Sequence, residues 1–138
     1  MGNLEILKAL SPFPGLGITG WICGAVSGGL VSLGLFFGSD DLTNYSATGK
    51  AVAAARVFIP RFEKVLTSIL CPKIQEDVIF GRYMDQRASA DNMQAFIREN
   101  GFVKCALPAG IGARIAAEII IESMEHLKSL KDEQGGAL

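Results

Sequence analysis

The sequence predicts an all-α protein, a single-domain helical bundle built around a buried, glycine-rich central helix. The stretch Gly15–Gly38 holds eight glycines and no charged side chain, which favours a loop leading into a buried helix. Two later segments, 46–70 and 107–130, repeat apolar residues at helical spacing. No segment alternates apolar and polar residues with a period of two, so β structure should be minor. A length of 138 residues is typical of one domain.

The first third of the chain should form a short helix, a loop and the central helix. Asn3–Leu10 is amphipathic and predicts a brief helix. Ser11–Trp21 predicts a loop, because its prolines and glycines interrupt regular structure. Ile22–Phe37 predicts the buried helix, which Gly38 should end.

The middle of the chain predicts the longest helix, from Ser46 to Leu70, with Thr43, Asn44 or Ser46 as its cap. Pro60 is expected to kink or split this helix, and the Cys71-Pro72 pair is expected to stop it. Beyond it we expect one or two helical turns at 74–80, a polar loop at 81–90, and a short helix at 91–100 capped by Ser89 or Asp91.

The last third should be extended or turn-like at 102–105 and then helical from Leu107 to Leu130, with Pro108 in the first turn. Residues 131–138 predict a frayed tail. The last helix has two apolar rows, one formed by Ile111, Ile115, Ile119 and Leu127 and the other by Ala116, Ile120 and Met124.

Composition excludes several classes of protein. A formal net charge of −1 argues against a nucleic-acid partner, which needs a concentrated positive field. Residues 9–39 are uncharged, yet their continuous helical part would span only about 24 Å, short of a bilayer core of about 30 Å. We therefore expect no membrane span, and the lack of a recognisable secretory signal favours a cytoplasmic location.

Gly15, Gly17 and Gly20 match the GxGxxG fingerprint of dinucleotide-binding proteins, and Asp40 and Asp41 follow about 20 residues later. That fingerprint requires a preceding strand and a βαβ unit, and the residues before Gly15 include two prolines. We therefore expect no nucleotide cofactor.

Cys23, Cys71 and Cys105 are the cysteines of the chain, and each falls at a predicted element boundary. Cys23 and Cys105 lie near predicted helix starts, where the helix dipole favours a thiolate that could bind iron or zinc or attack a disulfide. There is no CxxC for a zinc knuckle and no CxxCH for haem attachment. Three buried structural thiols are an equally weighted alternative. The single histidine, His126, predicts a solvated surface position.

Three features together resemble a known family. They are the block Cys23-Gly-Ala-Val-Ser-Gly28 after a glycine-rich loop, Phe58 and Phe62 before Cys71, and Lys104-Cys105 before an Ala/Ile-rich helix. This combination resembles the redox-active family named C_GCAxxG_C_C after its cysteine pattern, which is related to the split-Soret cytochromes. The resemblance covers residues 10–122, most of the chain.

The resemblance implies a helical protein whose cysteines hold a redox centre, in the split-Soret relatives an iron–sulfur site. Cys23, Cys71 and Cys105 match the second, third and fourth family cysteines, and no counterpart of the first precedes Cys23. Iron–sulfur clusters normally have four ligands. The fourth would be a water, a substrate, another side chain or a cysteine of a partner, so a homodimer or a partner subunit is one expectation.

Two alternatives without a metal stay open at this point. One is thiol–disulfide chemistry. The other is a non-catalytic binding or assembly module, in which Gly20, Gly24 and Gly28 serve helix packing or dimerisation.

Overall fold

Helices dominate the fold, as the sequence predicts. The computed structural model describes residues 4–135, and within them the only β structure is an isolated antiparallel bridge between Ile22 and Leu70. Along the described chain the helices are α1 (Leu4–Leu10), α2 (Gly15–Ile18), α3 (Gly24–Phe37), α4 (Tyr45–Leu66), α5 (Cys71–Ile74), a π-helical segment (Gln75–Phe80), α6 (Ala90–Arg98), α7 (Gly101–Lys104) and α8 (Ala106–Gly135).

Three long helices form the core. Helix α3 packs against both α4 and α8, and α4 also packs against α8. The central position of the glycine-rich helix is thereby confirmed. The buried apolar side chains of this core come from all three helices and from α5, and they are Val26, Leu33, Ala54, Phe58, Phe62, Leu66, Ile74, Ile115, Ala116 and Ile119.

Two glycines allow these helices to approach closely. A Cβ on Gly29 would lie 2.6 Å from Cε2 of Phe58, and one on Gly112 would lie 2.8 Å from the carbonyl oxygen of Ala25. The glycine row suggested for assembly does not form such a contact. Gly20 precedes α3, Gly24 packs on the backbone of Pro14, and a Cβ on Gly28 would meet open space.

Replacing Gly112 with alanine should destabilise the fold by about 1–3 kcal/mol, because the new methyl group meets backbone that cannot rotate away. Gly110 lies two residues earlier in α8 and has open space at its Cβ position. Gly110→Ala should therefore stabilise the protein by about 0.5–1 kcal/mol through helix propensity. Urea unfolding of both variants measures the difference, and equal stabilities would show that α3 and α8 are not in contact there.

The predicted caps at the ends of two loops are confirmed, and the predicted end of α4 is wrong. Asn44 caps α4 by accepting from Ala47 N–H at 3.1 Å, and Ser89 accepts from Asn92 N–H at 3.1 Å. Helix α4 runs through Pro60 without being split and ends at Leu66, four residues early, since Thr67 adopts a left-handed conformation.

Four further predictions differ from the structure. Helix α3 begins at Gly24 because Cys23 is extended, and Cys71-Pro72 opens α5, where proline is tolerated in the first turn. Residues 101–104 form a helical turn and are not extended. Helix α8 continues through residue 135, and 136–138 of the predicted tail lie outside the described residues.

The apolar face of α8 is shorter than predicted. Ile115, Ala116 and Ile119 are buried, whereas Met124 and Leu127 are 55% and 54% exposed. The fully buried part of this face therefore lies in the first half of the helix, although Glu122 still pairs with Arg61 of α4. Among residues 4–135, no helix has both the length and the apolar character needed to cross a membrane.

Candidate functional site

A cavity of about 380 Å³ lies between the N-terminal loop, the start of α3 and the elements from α5 to α8. Cys23, Cys71 and Cys105 all line it, so the three predicted site residues meet at one place. The remaining walls are mostly apolar, and no charged side chain from the described part of the chain lines them. The other polar side chains at the cavity are Gln75, Tyr83 and Gln86.

Backbone pairing holds Cys23 beside Cys71. Cys23 N–H donates to the Ile69 carbonyl at 2.8 Å, and Cys71 N–H donates to the Trp21 carbonyl at 2.7 Å. In such an antiparallel pair Cys23 is opposite residue 69, and Cys71 lies two residues further along on the same face. Diagonal neighbours of this kind have Cα atoms about 7–8 Å apart. The bridge therefore orients both thiols toward the cavity.

The glycine-rich loop closes over Cys71 in a left-handed turn. Gly15, Leu16, Gly17 and Ile18 all have positive φ, between 49° and 70°. Left-handed backbone costs about 1–2 kcal/mol for a residue with a side chain, so the turn is strained at Leu16 and Ile18. A Cβ on Gly15 would lie 3.9 Å from Cys71 Sγ, so the loop backbone covers this sulfur.

Gln75 holds the sulfur of Cys71 from the other side. Its side chain is 1% exposed, and its Oε1 accepts from Met84 N–H at 3.0 Å. Because the oxygen faces a donor, the amide nitrogen must face away from Met84, and it donates to Cys71 Sγ at 3.5 Å. Gln75 is thus the link between the loop after the π-helical segment and the thiol.

All three thiols favour the protonated form, which makes the prediction of a helix-stabilised thiolate wrong. Burial raises the pKa of Cys23, although the N–H groups of Ala25 and Val26 at the start of α3 lower it in part. Burial likewise raises the pKa of Cys71, against the Gln75 hydrogen bond. At Cys23 and Cys71, the loss of contact with water raises the pKa more than the backbone or amide donors lower it.

Cys105 is the most strongly shifted thiol. Burial, and then the nearby charges of ionised Cys71 and Cys23, raise its pKa from 9.0 to about 11, and no hydrogen bond opposes the rise. Cys105 lies between α7 and α8, and so closes the cavity opposite the paired segments.

The raised pKa of Cys105 predicts a loss of stability at alkaline pH. The folded state holds the thiol proton more tightly than the unfolded state, so stability is fully present below pH 9.0 and falls as the pH rises toward about 11. Cys105→Ala should flatten this decline relative to the wild-type chain in urea unfolding at a series of pH values. A decline of unchanged slope would contradict the assigned environment of Cys105.

The fit of a metal centre can be judged from the donor groups. Three thiols are suitable soft ligands for iron or zinc. Yet among the residues that the structure describes, no group of three or more Cys, His, Asp or Glu side chains is arranged to hold a metal ion. The three sulfurs therefore share one cavity without forming a ready-made ion site. His126, on the surface of α8 as predicted, offers no ligand to the cavity.

The cysteine positions agree with a comparison against known families. The family described as "Putative redox-active protein (C_GCAxxG_C_C)" matches residues 1–119. The chain belongs to this family. No curated protein and no solved structure matches it. In this member of the family, Cys23, Cys71 and Cys105 all line the same cavity.

Sequence reasoning missed Gln75 and the apolar cavity itself. Gln75 follows Cys71 by four residues, and residues at that spacing are neighbours on a helix. This spacing was the available signal. The cavity had no comparable signal, because its walls include Phe13, Phe96 and Phe102, which come from separate segments of the chain.

Proposed function

We propose that this chain is a cysteine-based redox protein whose reactive groups are Cys23, Cys71 and Cys105. One observation carries the proposal: three cysteines that are distant in sequence line a single cavity. Structural thiols have no need to share a cavity that stays open among mostly apolar walls. Membership of a redox-active family supports the same conclusion.

Cys71 is the best candidate for the attacking thiol. The Gln75 amide donates to its sulfur, and this bond favours the thiolate that the reaction requires. Cys23 is the best candidate for the second thiol, because the backbone bridge places it on the same face. A disulfide needs Cα atoms about 4.4–6.8 Å apart, so the two segments must move about 1 Å closer than regular diagonal neighbours.

The proposed reaction is an exchange with a disulfide substrate. The Cys71 thiolate attacks one substrate sulfur, the substrate S–S bond breaks, and the leaving thiolate takes a proton. The Cys23 thiolate then attacks the Cys71 sulfur and releases the second half of the substrate as a thiol. The chain loses two electrons and two protons and gains a Cys23–Cys71 disulfide, and the substrate is reduced to two thiols.

Titration of the reduced protein with 2,2′-dithiodipyridine tests this proposal. We expect two equivalents of thiopyridone for each Cys23–Cys71 disulfide, identified by peptide mass spectrometry. Cys23→Ser should stop the reaction at the mixed disulfide on Cys71 and release one equivalent. Independent modification of all three cysteines without an internal disulfide would overturn the proposal and favour the non-catalytic assembly module.

An iron–sulfur cluster is the second candidate, favoured by the family's cysteine pattern. It would require the three sulfurs to draw closer and a fourth ligand from water, substrate or a partner subunit. Anaerobic purification followed by iron and acid-labile sulfide analysis separates it from the thiol mechanism. Stoichiometric iron and sulfide in the wild-type chain, lost in the triple Cys→Ser variant, would favour the cluster over the thiol mechanism. Iron-free protein that forms the disulfide would support the thiol mechanism.

A further inference from the structure

We infer that the cavity is a binding site for a small, neutral and mainly apolar molecule, and that it discriminates against anions. The identification of this molecule as the redox substrate rests on the proposed function. The binding itself is independent of that chemistry. It follows from the size, the lining and the charge of the cavity.

The size suits a small organic molecule. Ligand pockets in proteins usually enclose about 300–1,000 Å³, and this cavity encloses about 380 Å³. Phe13, Met93 and Phe96 supply apolar walls, and Ile18 and Phe102, which are 37% and 67% exposed, also line it. An apolar molecule can therefore enter over an apolar edge, and its transfer from water into the cavity is favourable.

The helix α3 leaves room for the ligand. Gly24 and Gly28 are four residues apart, so they share the face of α3 that lines the cavity. A Cβ on Gly28 would meet no atom within 4 Å. The space next to Gly28 is thus part of the cavity, and a larger side chain at this position would occupy it without striking the core.

The polar groups that line the cavity determine which ligand charge it can accept. The described lining residues include amides, a phenol and thiols, but no cation that could pair with an anionic ligand. Burying an unpaired carboxylate or sulfonate among apolar walls is strongly unfavourable. Gln86 makes no side-chain hydrogen bond within the described chain and can serve one polar group of a neutral ligand. The redox substrate is therefore a neutral apolar disulfide, as opposed to an anionic one such as a glutathione-type peptide.

A matched pair of fluorescent dyes tests the inference. N-phenyl-1-naphthylamine is neutral, and 8-anilino-1-naphthalenesulfonate is nearly the same molecule with one added sulfonate. We expect saturable one-to-one binding of the neutral dye and at least ten-fold weaker binding of the sulfonate. Gly28→Leu should weaken the neutral dye at least ten-fold. Gly34→Leu is the matched control, because Gly34 lies on the same helix, has open space at its Cβ position and does not line the cavity. This variant should leave binding of the neutral dye unchanged.

Separate control experiments address the folding of the variants and the dependence of binding on the disulfide chemistry. Circular dichroism and urea midpoints show whether both variants fold, and Gly28→Ala and Gly28→Val give a graded series if the leucine variant does not. The wild-type chain should bind the neutral dye without any disulfide reagent present, so binding can be observed even if the disulfide reaction of the proposed function fails. Equal binding of the two dyes, no binding, or no effect of filling the Gly28 space would overturn the inference.

Discussion

Alkylation of Cys71 near neutral pH is expected to slow about five- to ten-fold when Gln75 is replaced with methionine. The Gln75 amide donates to the Cys71 sulfur, and this bond lowers a thiol pKa that burial raises. Hydrogen bonds to charged groups contribute about 1.5–3 kcal/mol. Cys71 is only partly buried, so solvent screening reduces the expected contribution to about 1 kcal/mol.

The pH dependence of the alkylation rate distinguishes this role of Gln75 from a purely structural one. Without the amide, the pKa of Cys71 rises further and the fraction of thiolate at a given pH falls. Rates measured with neutral iodoacetamide and resolved for each cysteine by mass spectrometry should therefore converge at high pH, where the thiolate forms in both proteins. A pH profile identical to that of the wild-type chain would remove Gln75 from the mechanism.

Gln86→Met is the matched control, because Gln86 lines the same cavity without bonding to a cysteine. It should leave the Cys71 profile unchanged. Gln75→Met also orphans Met84 N–H, a buried donor whose loss of a partner costs about 1–3 kcal/mol of stability. The rates must therefore be compared under conditions where urea unfolding shows both variants to be fully folded.

The sequence was sufficient for local features of the site and insufficient for its environment. The block around Cys23 predicts a helix start, and the structure places Cys23 directly before α3. The Cys71-Pro72 pair, expected to stop a helix, instead opens α5. The expectation of thiolates failed because a pattern of residues does not report burial. The Ile22–Leu70 bridge was equally hidden, since two isolated residues that pair at a distance carry no periodic signal.

The helix caps and the apolar face of α8 show the same difference between local features, which the sequence predicts, and long-range packing, which it does not. Asn44 and Ser89 act through the nearest turn of chain, and their capping roles were predicted correctly. Met124 and Leu127 follow the apolar period of α8, yet both are more than half exposed, although Leu127 shares a pocket with Phe37 and Lys50. Periodicity identifies which face of a helix could be buried, but it does not show how much of that face the neighbouring helices cover.

The largest effect on stability is expected at Phe58. Its ring is fully buried, stacks on Phe62 at 5.7 Å between ring centroids, and packs against the bare backbone of Gly29. Phe58→Ala should lower the free energy of unfolding by about 3–5 kcal/mol, because it removes the ring and leaves a cavity among helices that cannot collapse fully. Urea unfolding followed by circular dichroism measures this loss.

A double-mutant cycle separates the ring–glycine contact from the general effect of emptying the core. Gly29→Ala alone should destabilise the chain by about 1–3 kcal/mol, because its methyl group overlaps the Phe58 ring. In a Phe58→Leu background the shorter side chain leaves space for that methyl group, so the two changes should compensate by about 0.5–3 kcal/mol. Gly34→Ala, at an open position on the same helix, should add to Phe58→Leu within about 0.5 kcal/mol. Additivity in both cycles would mean that Gly29 does not provide the room for Phe58, and that α3 and α4 approach for another reason.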